Sequence, residues 1–280
     1  MGRDRDAWLA LTKAGFALPD GTAAIDVLID ANTLLASPDP VLRDDVAFSA
    51  AERWIVRDGR VAPDDLRRLL TLWTSNLQDG LESPGDDRVF KRSFSALCLS
   101  LIAARDLAAP FLSADEVAAF FDRVLDYFER ERDLRGFDPV RGWMHTPAHT
   151  SDTLKFLARN PKLPAGSDRR LLAAVQRKIE SSNTVFVWGE NGRMALALQS
   201  SLRRPDAVAA TLEAWIAHWI DEYKTLWAKG PHVDPARFAR VENARQVMAS
   251  LHAALSMEAN PTSNGDTARK VILAALAKMR

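Results

Sequence analysis

The feature that most constrains this chain is a stripe of apolar side chains spaced for one helix face. Val117, Phe120, Phe121, Val124, Leu125 and Phe128 recur at intervals of three and four residues, with Asp122, Arg123, Asp126 and Glu129 on the opposite side. A period near 3.6 places such a set on one face of an α-helix, and burying that face needs a partner layer. Ser113 and Glu116 precede the stripe in capping-box spacing. The serine can accept an amide proton of the first turn while the glutamate reaches back to the serine N–H. Other helix starts are marked by proline at the first helical position: Pro40, Pro63, Pro205 and Pro235.

Read this way, the chain predicts about a dozen helices, over residues 4–15, 22–36, 40–57, 63–77, 87–105, 114–132, 147–160, 167–181, 190–202, 205–228, 235–257 and 266–279. Strand signals are nearly absent. The β-branched segment 184–188 ends in Gly189 and has no evident pairing partner, so it reads as a buried connector. Short loops between helices favour antiparallel neighbours. The expected fold is therefore all-α: antiparallel helix pairs in a solenoid-like or α/α superhelical array, forming a single domain over residues 1–280.

Composition narrows the function classes. With 37 Lys plus Arg against 37 Asp plus Glu, the formal net charge is zero, so nothing demands a nucleic-acid partner, whose binding is driven by cation excess. The pairs Arg67/Arg68, Arg169/Arg170 and Arg203/Arg204 read as solvated helix faces. No apolar run reaches the ~20 residues that a membrane span needs. The first residues mix acids with bases, unlike a secretory signal. A cytoplasmic location is the expectation. The single cysteine, Cys98, lies in an apolar run and reads as a small hydrophobe. No Walker loop or Gly-x-Gly-x-x-Gly is present.

The densest polar chemistry lies in residues 131–152. Glu131, Asp133, Arg135 and Arg141 crowd the end of the Phe-rich helix, where Gly136 suits a left-handed C-terminal cap and Arg135 could neutralise the last carbonyls. Arg92, near the start of another helix, is a candidate buried partner for the acidic cluster near Glu131. His145, His149 and Asp152 follow as His-x3-His-x2-Asp, with Trp143 as an apolar anchor. On one continuous helix those three would share a face and suit a divalent metal. Pro147, however, suggests a helix that starts there, with Thr146 as N-cap and His149 in the first turn. The helix macrodipole would then hold the His149 ring neutral near pH 7. Such a ring can ligate a metal, act as a base oriented by Asp152, or join a structural network. Glu190 and Arg193, at i, i+3 spacing, are candidates to join this hub.

Three stretches carry a resemblance: residues 88–97 (RVFKRSFSAL), residues 131–137 (ERDLRGF) with 142–145 (GWMH) and 148–152 (AHTSD), and Gly189-Glu190 with Arg193. In this order, with Leu42-Arg43-Asp44 ahead of them, they resemble a bacterial family filed as domain of unknown function 2785, over most of residues 35–255. The resemblance implies a helical fold and supplies no activity. Two functional expectations stand. One is a helical-array binding or interaction module for a protein or small-molecule ligand, with the polar hub at its centre. The other is a metal-dependent or His/Asp hydrolase-like enzyme using His145, His149 and Asp152. In a third alternative, the helix carrying Trp215, Trp219 and Trp227 walls a small-molecule pocket, although tryptophans at helical spacing are more often core.

Overall fold

The structure, a computed structural model, describes residues 3–207, 209–228, 230 and 232–279. Met1 and Gly2, at the start of the N-terminal segment, and Val208, within the helix expected from Pro205, lie outside them. Among the described residues the chain is all-α, with twelve helices and one two-stranded sheet. Contacts divide it into two compact units, one of residues 1–112 and 130–153, the other of residues 113–129 and 154–280.

The first unit opens with α1 (Arg5–Lys13), capped by the Asp4 carboxylate, which accepts from the Ala7 N–H. Then comes α2 (Ala24–Ala31), continued by a 3-10 turn at Asn32–Ala36. Residues 41–57 form α3. Two π-wound stretches, Val41–Phe48 and Glu52–Arg57, flank the short α-turn Ser49–Ala51. The wider winding brings residues five apart together, and the Arg53–Asp58 and Arg57–Glu52 pairs use that spacing. Sequence periodicity predicted a helix here without revealing its pitch. Helix α4 (Pro63–Asn76) carries proline in its first turn as expected, and α5 (Arg88–Ala108) follows. α5 is the central element of this unit, burying Phe90, Phe94, Cys98, Leu99 and Ile102. Asn76 ties α4 to α5 through Ser95 and to Asn32 in the turn after α2.

Helix α6 (Ala114–Arg130) bears the Phe-rich stripe, which is buried as predicted. Its capping box is formed from both sides, Ser113 N–H to Glu116 at 2.7 Å and Glu116 N–H to Ser113 Oγ at 3.2 Å. Two short strands, β1 (Phe137–Asp138) and β2 (Gly142–Trp143), then pair antiparallel, ahead of α7 (Thr146–Ala158). This hairpin was not expected. It consists of two residues per strand, too few to show a period.

The second unit contains α8 (Ser167–Glu180), α9 (Glu190–Leu202), α10 (Ala209–Trp227), α11 (Pro235–Ser256) and α12 (Ser263–Lys278). Asn191 donates to Gln246, and Gln199 donates to the Ala254 carbonyl. Both pairs are 55 residues apart, so α9 and α11 run parallel. Contacts also join α10 to α12, α8 to α9 and α10 to α11, the pattern of an all-α array. Asn243 is buried and stitches the 184–188 connector down: its carbonyl oxygen accepts from Phe186 N–H, while its amide donates to Ser182 and to the Thr184 carbonyl. The connector has no strand, but only Phe186 in it is buried. Val187 and Trp188 are exposed, beyond the reach of the Asn243 bonds, which hold only Phe186 N–H and the Thr184 carbonyl.

Pro205 does not open α10. Residues 205 and 206 form a turn, and the helix begins at Ala209. The Asp206 carboxylate is taken by Arg204 and by the Gly166 N–H, which favours the turn over a helix start. The tryptophan stripe of α10 is core at Trp215 and Trp219, whereas Trp227 is 42% exposed.

Candidate functional site

Residues 131–152 form one connected polar hub with α5 in the first unit. The helix ends at Arg130 because Glu131 turns inward. Both its carboxylate oxygens meet Arg92, Nε to Oε2 at 2.6 Å and Nη2 to Oε1 at 3.2 Å, with neither side chain more than 1% exposed. Arg92 Nη1 caps the carbonyls of Asp79 and Gly80, and Glu131 also accepts the Asp133 N–H. The expected Arg92 partnership with the acidic cluster is thus present. Asp133 accepts from Gly85 N–H and from Arg135, whose Nη2 also reaches the Asp86 carbonyl. Hydrogen bonding to Asp133 raises the Arg135 pKa. Gly136 is not a left-handed cap, and Arg135 does not serve the last carbonyls of α6. The chain leaves that helix without further regular structure, and Glu131, Asp133 and Arg135 bond within the loop and to α5 and residues 85–86 instead.

The hairpin is held from beneath by Arg43. This guanidinium, fully buried in the π-wound part of α3, lies 4.1 and 4.8 Å over the rings of Phe90 and Phe94. It donates to the carbonyls of Ser37, Arg141 and Trp143. Burial lowers its pKa to about 10, with Asp44 and Asp39 opposing the shift. Gly142 has φ +73°, and a Cβ there would lie 2.8 Å from Pro40 Cβ and 3.2 Å from Arg43 Nη2. At the turn, Asp138 accepts the N–H groups of Val140 and Arg141, which lowers its pKa, and Arg141 pairs with Asp87 at 2.8 Å.

Helix α7 starts one residue earlier than its proline suggested. The His145 carbonyl accepts from Ala148 and His149, so His145 stands in the N-cap position, at φ +49°. Thr146 does not cap, because its hydroxyl donates to the Asp133 carbonyl. The left-handed backbone at His145 is a strained conformation for a non-glycine residue. It turns the imidazole onto Trp143, stacked at 4.7 Å and 23°, with the His149 ring edge-on at 5.4 Å. Phe94 packs edge-on against His149 at 5.0 Å, and Phe137 lies 4.7 Å from Trp143.

The structure brings Ser93 to His149, a pairing the sequence did not disclose. Ser93 Oγ lies 2.8 Å from His149 Nδ1 and also donates to the Met144 carbonyl. A carbonyl can only accept, so the hydroxyl proton points there, and the serine oxygen must accept Nδ1–H from the histidine. In the neutral ring the lone pair then sits on Nε2. Asp152 is buried on the same helix, at 5% exposure. Among the described residues no group of three His, Cys, Asp or Glu side chains is arranged to hold a metal ion.

Glu190 and Arg193 lie in the first turn of α9, in the second unit. Glu190 accepts the Trp188 N–H at 2.8 Å, and burial raises its pKa. His218 faces Glu180 at 3.6 Å, whereas Asp221 pairs with Lys224. Arg204, read as part of a solvated pair, is largely buried and bonded to the carbonyls of Asn160 and Leu163.

Fold and hub together define an all-α protein whose first unit is fastened by a buried Arg–Glu pair and a Trp–His–His cluster. The chain belongs to the family described as Protein of unknown function (DUF2785), whose model matches residues 77–253. No curated protein and no solved structure matches the chain. Among the described residues no helix is long and apolar enough to cross a membrane.

Proposed function

We propose that this chain is a helical-array binding protein in which residues 131–152 hold the framework and perform no hydrolysis. The observation that carries the reading is the placement of the Ser93 Oγ against both the Met144 carbonyl and His149 Nδ1. A serine nucleophile needs its proton directed at the base. Here a carbonyl, which can only accept, competes for that proton, and in this reading the histidine is the donor. The remaining groups follow the same logic. Glu131 is held by Arg92 and the Asp133 N–H, Asp133 by Arg135 and the Gly85 N–H, and the two terminal nitrogens of Arg43 by three carbonyls. Buried polar networks of this kind fix one arrangement of neighbouring elements.

Labelling with a fluorophosphonate probe, read by mass spectrometry, tests the reading. Ser93 stays unmodified if it is a framework residue. A Ser93 adduct that disappears in His149→Ala would overturn the proposal in favour of a hydrolase. The metal alternative is addressed by melting wild type and His149→Ala with and without Zn²⁺ or Mn²⁺. Ion-dependent stabilisation that the variant loses would mark a metal site. The framework reading expects equal melts with and without the ions, and a lower melting temperature in the variant.

A further inference from the structure

The second unit contains a half-open cavity of about 500 Å³, lined by Ala158, Arg159, Asn160, Pro161, Ser200 and the turn at residues 203–206. Its volume is in the range of small-molecule sites. We propose that this cavity binds a small organic oxyanion, a carboxylate or a phosphate monoester, through the guanidinium groups of Arg159 and Arg203.

The three arginines at the cavity are not equivalent. Arg204 is occupied. Its Nε meets Asp206, and its terminal nitrogens reach the carbonyls of Asn160 and Leu163. It builds the wall. Arg203 is held by one nitrogen only, Nε to Glu258 at 3.0 Å, and Glu258 is itself anchored by Gln199. Arg159 is held by Nε to the buried Ser200 hydroxyl at 3.0 Å, and Ser200 passes its own proton to the Leu196 carbonyl. Among the described residues Arg159 meets no carboxylate.

Three guanidiniums therefore face two carboxylates, leaving one positive charge uncompensated beside a cavity that also presents Ala158, Pro161 and Pro205. Partial burial first, and the neighbouring Arg203 second, lower the Arg159 pKa. An arginine after the last turn of α7 suits the helix dipole, which accounts for a cation there. It does not account for a second cation brought up against the first. Both side chains are fixed at Nε with their terminal N–H groups unspent, the edge that grips a carboxylate or phosphate in two-pronged fashion. The apolar lining fits the organic body of the ligand.

The assignment rests on reading the chain as a binding protein. The two fail separately, since Ser93 labelling reports on the hub alone and the cavity is measured in its own right. Titration calorimetry of the full chain at low ionic strength, with phenyl phosphate, benzoate and inorganic phosphate, is the test. At least one organic anion should bind with Kd below about 1 mM and should weaken about tenfold or more in Arg159→Gln, with an intermediate loss in Arg159→Lys. Which of the two binds tells phosphoryl from carboxylate chemistry. Arg159 is exposed, so the Gln variant should melt within a degree or two of wild type, which separates lost binding from lost fold. Absence of binding by both organic anions, or equal affinity in wild type and Arg159→Gln, would overturn the proposal.

Discussion

Arg92 and Glu131 face each other as a two-pronged ion pair with both side chains withdrawn from water. The pair joins the second turn of α5 to the residue that ends α6. Removing one partner leaves the other charged and buried, which typically costs about 3–5 kcal/mol. Arg92→Ala and Glu131→Ala should each lose stability of that order in urea denaturation. The double variant should lose less than the sum of the two. Additive losses would mean that the pair is not coupled.

Deleting the Ser93 hydroxyl tests the inner hub. In Ser93→Ala the buried hydrogen bonds that Ser93 makes to His149 Nδ1 and to the Met144 carbonyl are both lost. Unsatisfied buried groups of this kind cost about 1–3 kcal/mol. A fall in the urea midpoint at unchanged slope is the expected outcome. Ser93→Cys keeps a weaker donor in place and should lie between the two.

His145 offers a comparison that isolates backbone strain. His145→Ala and His145→Gly both remove the ring stacked on Trp143. Only the glycine relieves the left-handed backbone, which costs other residues about 1–2 kcal/mol. The glycine variant should therefore be the more stable of the two, read as a difference in melting temperature. An alanine variant as stable as the glycine one would show that φ +49° is not imposed on the folded chain.

How much of this was legible beforehand depends on the range over which each signal acts. The Ser113–Glu116 box and the Val117 to Phe128 stripe are local, and both appear as read. Arg92 was singled out because an arginine in an apolar helix needs a partner, and an acidic cluster lay available. The Ser93–His149 bond was not legible, since the two are 56 residues apart and nothing in either segment names the other as its partner. Pro205 and Gly136 misled for the opposite reason. Each carries a local preference that side-chain pairing overrode, through Arg204 with Asp206 and through Arg135 with Asp133. The Arg203/Arg204 pair looked like solvated surface because sequence alone does not reveal the carbonyls of Asn160 and Leu163 that Arg204 finds.

Gly142 is required by space as well as by φ. Gly142→Ala would place a methyl group against the Pro40 side chain and close to the Arg43 guanidinium, which is pinned by three carbonyls and has little freedom to withdraw. Overpacking of this kind costs about 1–3 kcal/mol, and the positive φ adds to it. The variant should fall at least that far in denaturant titration. Tryptophan fluorescence should change too, because Trp143 is the neighbouring residue.

Glu190 gives a pH signature. Its carboxyl is 1% exposed, and burial raises its pKa above the ordinary 4.5. A raised carboxyl binds its proton more tightly in the folded chain than in the unfolded one. The native state therefore holds more protons at pH values between the unfolded and the folded pKa, and stability falls as pH rises through that window. Below it Glu190 is neutral in both states and the penalty is absent; above it the penalty is complete. Glu190→Gln keeps an oxygen that can accept the Trp188 N–H and carries no charge at any pH. Denaturation of wild type and variant at about pH 4 and about pH 7 should show the variant gaining on wild type as pH rises, with all other titrating groups cancelling in the comparison. A difference independent of pH would mean that Glu190 is not held in a desolvated state, and a difference of the opposite sign would mean that its charge is stabilised by the fold.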